Sequence, residues 1–216
     1  MMTFSLNNIQ EQLKPLLFVL FVSAIGFVLN LYPIPLFTDV HLIIGNAAFV
    51  IVAMRFGVLY SLLSALIVTT AFVIPFAHPF GYLTFGLEAI VIALFRRKGW
   101  CILYADVLYW LFIGMPLSAL VLFSFSDMSE QVWLLTLIKQ AFNGLIYTSI
   151  AGLIVYFFPK TFALTFRQQP PVIRTFKAQL VYATSLIIIF SMMVTSIFVT
   201  QSVLKSQHEI NEKKHH

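Results

Sequence analysis

Three ionisable side chains stand inside long apolar stretches: Glu88, Asp106 and Lys139. A charge at the centre of a bilayer is costly, so it finds a partner or serves a function. Glu88 precedes Arg96 by eight residues, and Asp106 follows Lys98 by eight. At a rise of about 1.5 Å per residue, both carboxyls lie roughly 12 Å from that basic boundary. The two stretches form a hairpin, so the carboxyls can face each other at one depth. They would repel unless Lys139, roughly 10 Å in from the opposite boundary, reached towards them. The expectation is that Glu88, Asp106 and Lys139 converge. They would serve either as an ion-pair network that fixes packing or as a ligand or proton site.

Neighbouring residues add to that candidate. Lys139, Asn143 and Tyr147 recur every four residues and share one helical stripe, which should face the interior. Gly144, Thr148 and Gly152 form a small-residue stripe beside it, suited to close approach. The segment from Asp106 through Tyr109 and Trp110 to Gly114 and Pro116 combines an acid, an aromatic pair and two helix-bending residues. Pro116 leaves the carbonyl of Phe112 without its helical donor, so Gly114 and Pro116 predict a kink beside a pocket. His78, before Pro79, sits at the mouth of another hairpin and is a further sensing candidate.

Several chemistries lack their residues. Metal sites need three or four ligands, and Asp39, His41 and His78 are too scattered to supply them. No H-E-x-x-H, G-x-S-x-G or phosphate-binding loop is present, so neither an enzyme nor a cofactor is expected. The single Cys101 excludes an intramolecular disulfide. The tail residues His208, His215 and His216 read as solvated, and the last two are equally compatible with a native end and a tag remnant.

The elements that must carry these residues are membrane helices. Of 216 residues, 60% are hydrophobic and 10% charged, against about 25% charged in soluble domains. Seven stretches near 15–37, 38–56, 58–77, 79–95, 100–124, 132–157 and 179–204 approach the roughly 20 residues that a crossing helix needs. Lys14, Arg55, the Arg96–Lys98 cluster, and Lys160, Arg167, Arg174 and Lys177 fall on alternate connections. The turns between hold Asp39, His78, Asp127 and Glu130 instead. Basic loops stay on the cytoplasmic side, which predicts an amino terminus inside and a carboxyl end outside. The net charge of +5 is therefore a topology signal for an anionic leaflet, not a nucleic-acid footprint.

The predicted fold is all-α and polytopic: a six-helix transmembrane bundle over 1–158, then a seventh transmembrane helix over 179–204. A basic interfacial linker over 159–178, with hinge candidates Pro170 and Pro171, joins them. Residues 205–216 begin a polar helical stalk.

The first six stretches resemble the amino-terminal membrane sensor modules, of the MASE type, that precede GGDEF, EAL or histidine-kinase output domains in bacterial signalling proteins. Gly45-Asn46-Ala47, His78-Pro79, Leu87-Glu88-Ala89 and the run from Ala105-Asp106 to Met115-Pro116 carry the resemblance, over about residues 15–158. It implies a non-enzymatic sensory input in the bacterial inner membrane, homodimeric, with a possible small-molecule ligand and an output domain beyond this chain. It supplies no ligand residues, so Glu88, Asp106, Tyr109, Trp110, Lys139, Asn143 and His78 rest on the reading above. The alternative is a substrate-binding component of a vitamin-like membrane transporter, which the seventh helix after a long basic linker disfavours. An intramembrane aspartyl enzyme is weaker still.

Overall fold

The computed structural model describes residues 6–37, 40–76, 79–125, 130–159, 169–171 and 175–214. Helices dominate: α1 (Leu6–Leu31), α2 (Ala47–Phe56), α3 (Val58–Phe76), α4 (Phe80–Arg97), α5 (Ile102–Tyr109), α6 (Met115–Phe125), α7 (Glu130–Phe157) and α8 (Phe176–Lys214). A π-helical turn, Trp110–Gly114, joins α5 to α6 in one continuous rod. Four segments are long and apolar enough to cross a membrane: Leu13–Leu31, Ile102–Val121, Thr136–Phe157 and Phe176–Thr195. This agrees with the membrane character read from composition.

The expected second crossing, 38–56, is not one helix. Strands β1 (Ile34–Phe37) and β2 (Val40–Leu42) pair antiparallel, with Ile34 opposite Leu42. Only the ten residues of α2 follow. At about 1.5 Å per residue α2 is roughly 15 Å long, half of a hydrocarbon core about 30 Å thick. Pro33 and Pro35 explain where α1 stops, because proline cannot donate to a helical ladder. Every residue of α2 is buried, Arg55 included. A helix apolar all round is enclosed by protein or by lipid, and hydropathy does not separate the two. Here the enclosure is α1, α3, α4 and α7.

α2 is thus the centre of the molecule. Phe49 and Met54 pack with Ile92 and Ala93 of α4 and with Tyr147 and Val155 of α7. A neutral polar seam joins α1 to α3 and to the start of α2. Ser23 Oγ meets Ser64 Oγ at 2.7 Å, and Asn30 Nδ2 donates to Asn46 Oδ1 at 2.9 Å. Gly26 lets α1 lie against α2, since a methyl there would come within 2.6 Å of Ala48 Cβ.

α8 is peripheral. It packs extensively only on α7, and 11% of its crossing segment is buried. Tyr182 anchors it, stacked on Tyr156 at 5.4 Å and seated over Gly152, where any side chain would strike its ring. α8 itself runs as one unbroken helix to Lys214.

Candidate functional site in the bundle interior

The structure brings Glu88 of α4 and Asp106 of α5 together, and both are fully buried. Their spacing from the Arg96–Lys98 turn sets this meeting, since α4 and α5 run antiparallel away from it. Tyr147 of α7 completes the group. Its hydroxyl donates to Glu88, lying 2.7 Å from Oε1 and 2.6 Å from Oε2. Tyr147, and not Lys139, is therefore the α7 group bonded to Glu88. Lys139 lies eight residues nearer the start of α7, about 12 Å along the axis, and is half-buried. The convergence of three charges is corrected to two carboxyls and a phenol. Tyr147, two four-residue steps along the same stripe, occupies the position beside Glu88.

Asp106 is the unusual member. Glu88, Thr148 and Trp110 lie within hydrogen-bonding reach of it, but none of these contacts to its carboxylate oxygens has well-formed hydrogen-bond geometry. Trp110 Nε1 and Thr148 Oγ1 are also buried without a well-formed hydrogen bond. Two acceptor oxygens, an indole donor and a hydroxyl thus share one enclosed spot in loose contact with one another. Buried polar groups are nearly always satisfied, and an unsatisfied one costs about 1–3 kcal/mol.

The π turn builds this spot. The N–H of Met115 donates five residues back to the Trp110 carbonyl. Pro116 brings no N–H and needs room against the preceding turn, and widening that turn supplies it. The expected simple kink at Gly114 and Pro116 is therefore a π turn, which rotates Trp110 into the interior. Gly114 leaves room for the aromatic pair: a methyl there would approach Trp110 Cε3 within 2.7 Å. Tyr109 and Trp110 pack edge to face at 5.6 Å, and the Tyr109 hydroxyl donates to the Thr84 carbonyl at 2.5 Å. Gly144 of α7 opens the opposite wall, since any side chain there would collide with the Trp110 indole nitrogen. The small-residue stripe of α7 thus receives rings, Trp110 at Gly144 and Tyr182 at Gly152, and shows Thr148 to the acids between them.

The remaining candidates lie elsewhere. Asn143 Nδ2 donates to the His41 carbonyl at 3.1 Å and ties α7 to strand β2. His78 lies outside the described residues. Pro170 and Pro171 accept hydrogen bonds from Arg96 through their carbonyls, so this part of the predicted hinge is docked onto the bundle. Sequence reading missed three contributors to the site: Tyr147 as the partner of Glu88, Thr148 as a polar group, and the rings that fill the glycine notches. The four-residue recurrence on α7 contained the first two. Among the described residues, no three His, Cys, Asp or Glu side chains gather as a metal site would require.

No family model, curated protein or solved structure matches this chain. The functional reading therefore rests on the site itself.

Proposed function

We propose that the chain is a membrane-embedded sensory input of a bacterial signalling protein, with the Glu88–Asp106 centre as its receptor element. One observation carries the reading. Asp106, Trp110 and Thr148 are buried together at a π turn in contacts that fall short of well-formed hydrogen bonds, where a change in protonation or a small polar ligand alters local packing. π turns interrupt helices at low cost and often sit at functional positions. α7 carries Tyr147 and Thr148 on this centre and Gly152 on the Tyr182 anchor of α8. A shift of α7 is thereby passed to the peripheral helix. Such a device needs two states separated by a few kcal/mol. In this reading the basic connections lie in the cytoplasm, the stalk lies outside, and the working unit is a homodimer in the inner membrane.

The test uses spin labels at the exposed positions Phe158 and Phe176, with the full chain in lipid nanodiscs. Glu88→Gln and Asp106→Asn are each expected to shift the distance distribution between the end of α7 and the start of α8. Distributions identical to the parent's would sink the reading. A reporter fused at residue 210 that folds in the cytosol would reverse the orientation.

The transport alternative has one feature to argue from, a groove of about 300 Å³ between α1, α2 and α7. Its walls, including Phe21, Ile25, Ile51 and Ile154, are apolar throughout. A vitamin-like substrate needs a few placed polar groups for orientation, and this groove offers none.

A further inference from the structure

The basic end of the bundle holds a second polar cluster, of the opposite charge. Arg55 closes α2 and Arg96 closes α4, and they are only 2% and 7% exposed. Arg55 Nη2 donates to the Pro159 carbonyl at 3.0 Å. Arg96 Nη2 donates to the carbonyls of Pro170 and Pro171 at 2.9 and 3.3 Å. The two guanidiniums lie within electrostatic reach of each other and of Tyr156. Among the described residues their bonded partners are neutral carbonyls, which cancel neither charge. The Nε–H of each is buried without an acceptor. Gln169 packs beside them, its Nε2 donating to the Ala93 carbonyl at 3.2 Å.

Two adjacent buried cations need an opposite charge. Helix C-termini provide only about half a charge each, in partial form. A buried ion without a counter-ion costs several kcal/mol. The segments that meet at this end by sequence, 11–14, 55–58, 96–100 and 157–178, carry nine Lys and Arg and a single acid, Glu11. The chain's own carboxylates cannot balance the cluster. Guanidinium groups match the planar oxygen pairs of phosphate and offer five donors each. Of the described residues that cover it, Pro171 is exposed and Pro159 and Pro170 are half-buried.

We propose that Arg55 and Arg96 form a binding site for a phosphate-type oxyanion, either a lipid headgroup of the adjoining leaflet or a free phosphate. The oxyanion takes the unspent Nε–H donors and stands between the bundle and the segment at Pro159 and Gln169–Pro171. Occupancy therefore favours one position of the connection that leads to α8.

The experiment compares thermal unfolding of the full chain in three settings. These are nanodiscs of phosphatidylcholine, the same with phosphatidylglycerol mixed in, and phosphatidylcholine discs with inorganic phosphate against chloride at matched ionic strength. A ligand that binds only the folded state raises the midpoint. A rise with phosphatidylglycerol alone identifies the headgroup, and a rise with inorganic phosphate identifies the free anion. Arg55→Gln and Arg96→Gln should each lose most of the rise, while the exposed pair Arg97→Gln/Lys98→Gln keeps it. If a glutamine variant does not fold, Arg96→Lys serves, because it keeps the charge but loses the fork. No rise in either setting overturns the site. So does a rise that survives the Arg55 and Arg96 changes, or one that vanishes with the exposed pair.

Discussion

The α1–α3 seam and the α4–α5–α7 centre are both polar and both buried, and they differ in the charge their groups can carry. Ser23 spends its hydroxyl on the Val19 carbonyl and on Ser64, each at 2.7 Å. Asn30 Nδ2 donates to Asn46 Oδ1, which leaves Asn30 Oδ1 and Asn46 Nδ2 without partners. These groups are neutral, and their role is to hold two helices in register. In the other region Glu88 and Asp106 are ionisable, and Asp106, Trp110 and Thr148 meet only in loose contacts. Packing alone does not call for two carboxyls side by side in an apolar interior. The contrast separates glue from a candidate receptor without any appeal to relatives.

The largest test of that contrast is Tyr147→Phe. It removes the hydroxyl bonded to both oxygens of Glu88 and should destabilise the fold by about 1–3 kcal/mol. In a Glu88→Gln background the loss should shrink. Additive effects across that double-mutant cycle would deny the contact. Reaction of the single Cys101 with a thiol reagent during unfolding gives the measurement.

Gly144→Ala should cost a similar or slightly smaller amount, about 1–3 kcal/mol, by forcing the Trp110 ring aside. Trp110→Phe in the same chain should recover part of it, because the indole nitrogen is the point of collision. An undiminished loss in the double variant would show that the notch has another purpose.

Ser23→Ala probes the seam and should cost about 1 kcal/mol, the usual net value of one hydrogen bond. It should leave the α7–α8 spin-label distances unchanged. A changed distance would erase the distinction between the two regions.

Asp106→Asn should have the smallest effect on stability, below about 0.5 kcal/mol, because the carboxyl has no well-formed hydrogen bond to lose. It should nonetheless move α8 relative to α7. A large stability loss with unmoved labels would make Asp106 part of the glue.

Much of the site could be read in advance from spacing. Glu88 and Asp106 stand equally far from one basic turn, and two antiparallel helices must then bring them level. Tyr147 and Asn143 belonged to a stripe already pointing inward. Lys139 misled because charge was weighed above depth: a phenol at the right level donates better than an ammonium about two turns away. The π turn was legible only as a disturbance at Gly114 and Pro116, since a kink and a widened turn answer the same missing donor.

The amino-acid order by itself determined that this is an apolar helical chain with paired acids one depth from a basic turn. Those properties follow from composition and from the fixed rise of a helix. Tertiary structure decided that residues 40–56 hold a short strand and a short enclosed helix instead of one continuous helix. It also decided that Arg55 and Arg96 lie buried side by side under the 169–171 segment. Both outcomes depend on which neighbours surround a segment, and hydropathy scores protein and lipid alike.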